Sequence, residues 1–159
     1  MKSVVVYDSL YGNTKAIAQA IGDALPGEVQ VLSVGEVNPG DLGTADLLIV
    51  GSPTQRLRPT VAATSFLKSI PRKGLKGVKV AAFDTRLTWS EIEKVRILAF
   101  VVKIFGGYAA APIAGRLGKK GGELAVSPEG FYVASGEGPL VEGELERAAA
   151  WARQIVATL

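Results

Sequence analysis

A chain of 159 residues suits one domain with a single substantial core, and a hydrophobic fraction of 48% against 21% charged residues excludes a disordered chain. Cysteine and histidine are both absent, which removes disulfides, thiolate metal sites and the commonest general base near neutral pH. With 18 Lys and Arg against 15 Asp and Glu the formal charge is +3, and no basic stripe interleaves with aromatics, so nucleic acid is not an expected partner.

The first element is the strand "SVVVYD", whose unbroken valines indicate burial on both faces. It begins at Lys2 with no signal pattern before it, so the expected location is cytoplasmic. A short loop leads into the helix "TKAIAQAIGDAL", with Ile17, Ile21 and Leu25 on one face. "EVQVLSV" alternates as a strand, and "ADLLIVGSP" is a buried strand ending in Gly-Ser-Pro. "AATSFLKSI" reads as a helix introduced by Pro59 and Thr60, and "GVKVAAFDT" as a buried strand ending in Asp84. "SEIEKVRILAFVVKIF" opens with a capping-box pattern, Ser90 as N-cap and Glu93 three residues on. The apolar run from Ile97 to Ala114 holds one charge, Lys103, but Gly106 and Gly107 divide it into halves too short to span a bilayer. Two short helices on the sheet are expected there, and a membrane-surface or partner-facing patch is the second reading. "APIAGRLGKKGG" is a helix closed by glycine. "GELAV" and "GFYVAS" are strand pieces broken by Ser127-Pro128-Glu129, and "EGELERAAAWARQIVATL" is a helix whose early glutamates complement its dipole.

Strands each followed by a helix imply a parallel sheet covered on both faces, with ligands bound beyond the carboxyl ends of the strands. Three strand ends turn polar there: Asp8-Ser9, Gly51-Ser52-Pro53-Thr54 and Asp84-Thr85-Arg86. At the first, Ser9-Leu10-Tyr11-Gly12-Asn13-Thr14 places hydroxyls, an amide and a glycine at a helix N-terminus, where an anion is stabilised. Neither G-x-x-x-x-G-K-[ST] nor G-x-G-x-x-G occurs, so the cradle suits a monophosphate rather than a triphosphate or a dinucleotide. On the residues alone a second reading stands beside it, in which Ser9, Asn13 and Thr14 simply turn the chain and cap the helix.

"SLYGNT" after the first strand resembles the phosphate-binding loop of flavodoxins, hydroxyl-x-x-Gly-Asn-Thr. "GSPTQRLRPTVAATSFLKSI" resembles their second flavin-contacting loop and the helix after it, "FDTR" their third loop, and "GFYVASGEGPLVEGELERAAAWA" their C-terminal part. The resemblance implies one flavodoxin-like domain over residues 1–159, a three-layer α/β fold with a five-stranded parallel sheet flanked by helices. It also implies FMN held non-covalently at the carboxyl ends of the strands. Ser9, Leu10, Tyr11, Gly12, Asn13 and Thr14 would surround the phosphate. Pro53, Thr54, Gln55 and Arg56 would line the flavin and ribityl chain, and Asp84, Thr85, Arg86 and Leu87 the pyrimidine side.

The chain departs from the family pattern in three ways. No aromatic lies between Ser52 and Thr60, which leaves Trp89 either to stack on the flavin or to anchor the next helix, and Arg56 as another stacking group. No glycine lies between Pro53 and Thr60, where the family's peptide flip follows the redox state, so a half-reduced flavin is expected to be less favoured. Arg56, Arg58 and Arg86 bring positive charge to a site that is acidic in typical flavodoxins, which favours full reduction. The implied function is an FMN-binding electron carrier. The alternative is an FMN-dependent two-electron oxidoreductase of the flavin or quinone reductase type, and a third reading is a binding module that has lost its flavin. Redox proteins with acidic docking surfaces are the expected partners, and no metal.

Overall fold

Three unbroken apolar runs make the centre of a parallel sheet in this computed structural model, which describes residues 1–97, 99–100 and 108–159. They are β1 (Lys2–Tyr7), β3 (Leu47–Pro53) and β4 (Lys79–Leu87). β2 (Glu28–Ser33) takes the edge beside β1, and β5 (Glu123–Leu124) and β6 (Glu129–Val133) both pair with β4, giving the order β2-β1-β3-β4-β5. β5 sets Glu123 against Lys79, whereas β6 sets Glu129 against Phe83, so two more residues separate the pairs on the outer strand than on β4. Six strands therefore occupy five positions, the last in two pieces. Pro128, with no N–H to give to the ladder, lies in the break.

Successive side chains of a strand point to opposite faces. Val5, Leu47, Ile49, Ala81 and Phe83 meet α1 (Asn13–Ala24) and α5 (Glu144–Val156) through Ile17, Ile21, Trp151 and Ile155. Val4, Val6, Leu48, Val50, Val80 and Ala82 meet α2 (Val61–Ser69) and α4 (Ala110–Lys119) through Phe66, Leu67, Ile113 and Leu117. Phe83, Phe131 and Trp151 meet edge to face, with centroids 5.9 to 6.2 Å apart. Gly51 lies beneath this cluster, and a Cβ there would fall 2.1 Å from the Phe83 ring.

α3 (Trp89–Glu93) begins earlier than its capping-box pattern suggested. Thr88, extended at φ −63° and ψ 156°, accepts from the Glu91 N–H and is the N-cap, so Ser90 stands inside the first turn. Residues 98 and 101–107, which carry the middle of the apolar run, lie outside the described residues; from 110 the run forms α4. Among the described residues no helix is long and apolar enough to cross a membrane.

Candidate functional site

The carboxyl ends of β1, β3, β4 and β6 send four loops to one edge of the sheet, and they enclose a cleft. A narrow pocket of about 110 Å³ is lined by Ser9, Leu10, Tyr11, Asn13 and Thr14 of the first loop, and by Pro53, Thr54 and Gln55 of the second. Thr85, Arg86 and Leu87 line it from the carboxyl end of β4, Val133 from that of β6 and Gly136 from the loop after it. It opens into a broader depression of about 790 Å³ that shares Tyr11, Thr54, Gln55 and Gly136 with it and adds Arg56, Arg58 and Val61.

The first loop is ordered by its own side chains. Ser9 Oγ accepts from the N–H groups of Gly12 at 3.1 Å and Lys15 at 3.3 Å, so this hydroxyl caps the start of α1. Gly12, at φ 92°, makes the left-handed turn that admits the chain into the helix. Thr14, fully buried, shares a hydrogen bond of 2.8 Å with the Thr85 hydroxyl and so ties the first loop to the third. Asn13 donates to the Glu137 carbonyl at 3.1 Å and ties it to the fourth. Among the described residues the N–H groups of Leu10, Tyr11, Asn13 and Thr14 have no acceptor, although all four residues line the pocket. They stand at the positive end of the α1 dipole, and an anion would satisfy them.

The second loop is a tight turn. Gln55 and Arg58 exchange two backbone hydrogen bonds of 2.9 and 3.0 Å, and the residues between them, Arg56 and Leu57, both hold left-handed φ values of 47° and 68°. No glycine relieves this conformation, which costs roughly 1–2 kcal/mol per residue. Below the turn Thr60 caps α2, accepts from the Ala63 N–H at 3.1 Å and donates to Asp8 at 2.5 Å. Ser52 Oγ accepts from the Thr60 N–H at 3.0 Å.

Near the carboxyl end of β4, Asp84 and Arg86 form a two-pronged ion pair at 2.6 and 2.7 Å. Asp84 is fully buried and also accepts from the Ala110 N–H, so it serves the start of α4 and does not line the cleft. Burial pushes its carboxyl above the usual carboxylate range, while Arg86 and the Ala110 amide pull against that shift. The Arg86 guanidinium lies 3.7 Å from the centre of the Tyr108 ring. Its charge is therefore balanced, and of the three arginines expected beside the site only Arg56 and Arg58 add charge without an ion-pair partner among the described residues. Trp89, 36% exposed, opens α3 and is not among the cleft's lining; among the described residues the aromatics that line the cleft and the depressions beside it are Tyr11 and Tyr108.

Val133 and Gly136 were not anticipated. Because β6 ends at this same edge, the rule that ligands sit beyond strand carboxyl ends would have found them. Among the described residues there is no group of acidic side chains that could hold a metal ion.

Comparison with solved structures shows the same architecture. A flavodoxin from the domain Archaea is 24% identical with a TM-score of 0.73, over 99% of this chain and 97% of that one. Oxidised flavodoxin 2 from Bacillus cereus is 23% identical with a TM-score of 0.77, over the whole of both chains. The rubredoxin oxygen:oxidoreductase of Desulfovibrio gigas matches 99% of this chain within 36% of its own, at 19% identity and a TM-score of 0.70. A comparison with curated protein sequences gives no match. At these identities the structural likenesses establish the fold. The sequence itself decides the family: the flavodoxin domain model matches residues 4–98, more than half the chain and three of the four cleft loops. The chain thus belongs to the flavodoxin domain family, whose members are flavin-binding electron-transfer proteins.

Proposed function

We propose that the cleft holds FMN and that the chain carries electrons between redox proteins. The observation that carries this reading is the set of four N–H groups, on the pocket-lining residues Leu10, Tyr11, Asn13 and Thr14, that have no acceptor among the described residues and stand at a helix N-terminus. A terminal phosphate fits that donor set, because charge-assisted hydrogen bonds and the helix dipole both favour an anion. Thr54 and Gln55 would border the ribityl chain, and Thr85, Arg86 and Leu87 would hold one side of the flavin. Bound FMN supplies the redox chemistry; the protein supplies orientation, polarity and access. Asp84 keeps Arg86 in place, and the Thr14–Thr85 and Asp8–Thr60 hydrogen bonds hold the loops in register around the cofactor.

Titration of the purified protein with FMN, read by flavin fluorescence, tests the assignment. Stoichiometric quenching is expected, and fluorescence that stays at the value of free FMN overturns it.

A second reading has its own observation. An apolar depression of about 310 Å³, bordered by Leu57, Leu87, Ile92 and Tyr108, adjoins the cleft and suits a small apolar electron acceptor. Quinone-dependent oxidation of a reduced pyridine nucleotide by the FMN-loaded protein would establish two-electron turnover, and its absence leaves the carrier.

A further inference from the structure

The net charge is small, but the charge is very unevenly placed. Residues 54–78 and 108–122 carry nine Lys and Arg and no Asp or Glu, whereas the rest of the chain sets the other nine against all 15 acids. The fold brings the two segments together, because α2 and α4 pack on the same face of the sheet through Phe66, Leu67, Ile113 and Leu117. Between these helices lies a groove of about 480 Å³. Pro59, Val61 and Pro112 line it with apolar surface, Val61 84% exposed, and Arg58, Lys68 and Arg116 line it with charge. None of these three cations has an ion-pair partner among the described residues. Lys120, outside the groove's lining, lies beside Lys68 and donates from its Nζ to the Lys68 carbonyl at 3.3 Å.

Exposed apolar surface bordered by charged side chains suits a protein–protein contact. The lining also holds Thr64 and Ser65, hydroxyls that suit a protein contact better than acyl chains, and among the described residues it has no aromatic platform for single-stranded nucleic acid. Arg58, Pro59 and Val61 also line the depression that opens from the cleft, so an occupant of the groove reaches the mouth of the proposed cofactor site. We infer that the α2–α4 face docks an acidic redox partner protein, received on Arg58, Lys68, Arg116 and Lys120 and seated on Pro59 and Val61. The inference rests on the electron-carrier reading, and it reverses the acidic surface typical of flavodoxins.

The test is an amide chemical-shift titration of the FMN-loaded protein with an oligoglutamate peptide at low ionic strength. Shifts are expected along α2 and α4 and should vanish at high salt. The pair Lys68→Glu and Arg116→Glu should weaken the peptide about tenfold. Arg153→Glu, exposed on α5 across the sheet, should change it less than about twofold. Shifts centred on another face, or an equal response to Arg153→Glu, would overturn the inference. So would tighter binding of phosphatidylglycerol vesicles to these same amides, which would make the face a lipid surface. Visible flavin absorbance in the same sample reports cofactor uptake separately, so a failure of the cofactor reading is seen apart from a failure at this face.

Discussion

At Gly12 the φ of 92° is one that side-chain-bearing residues rarely adopt, yet a Cβ there would meet nothing within 4 Å. Gly12→Ala should therefore cost about 1 kcal/mol of backbone strain and no clash, and weaken FMN by disturbing the adjoining amides. Gly51→Ala presses a methyl into the Phe83 ring, and overpacking of this kind costs about 1–3 kcal/mol. Thermal unfolding of both variants checks the order: Gly51→Ala should fall further. Asp84 is the residue whose role could not be read from its position. On a strand, residues two apart share a face, so the sequence contained the means to pair Asp84 with Arg86. What it did not contain was the start of α4, 26 residues on, which draws the Asp84 carboxylate inward through the Ala110 amide. Asp84→Ala should cost about 3 kcal/mol, since it leaves a half-buried guanidinium unpaired.

The buried strands and α1, α2 and α5 were legible in the sequence because burial on both faces leaves continuous apolar runs and helical burial a 3.6-residue stripe. The start of α2 was legible too, from Pro59 and Thr60. α3 was misread by two residues, because Thr88 and Ser90 are both competent caps and only the end of β4 at Leu87 decides between them. Thr60→Ala should cost about 1 kcal/mol by uncapping α2, and it also frees Asp8 beside the cleft. The glutamates at the start of α5 were read as complements to its dipole, but Glu144 does more. It accepts from the Tyr132 N–H at 2.8 Å and from Arg147, whose guanidinium also reaches the Gly130 carbonyl, and so fastens α5 to β6. Burial alone would raise its pKa; the hydrogen bonds from Arg147 and Tyr132 outweigh that and hold the carboxyl below its ordinary value. The stability it adds is thus complete above the ordinary carboxylate pKa and is lost as pH falls through the lowered folded value. Denaturant unfolding across that acid range should show a decline in the native protein that is shallower in Glu144→Gln.

At the scale of the molecule, a formal charge of +3 averages over two unlike regions, and composition alone pointed only to the sign of a partner. Topology supplies the rest, because it sets α2 beside α4 and places both next to the cleft. Electron transfer from the reduced FMN-loaded protein to hexacyanoferrate, an anion, should slow as salt is added, whereas transfer to hexaammineruthenium should quicken. Opposite responses would mean that acidic groups dominate the approach to the cofactor.

The central claim is that the amides of Leu10, Tyr11, Asn13 and Thr14 receive a phosphate, and the affinity of FMN relative to riboflavin tests it most directly, since the two differ only in that group. Charge-assisted hydrogen bonds contribute about 1.5–3 kcal/mol each. Calorimetric titration should therefore find FMN bound at least about 100-fold more tightly than riboflavin, a difference of roughly 2.7 kcal/mol. Equal affinities would contradict the account and leave the loop a helix cap.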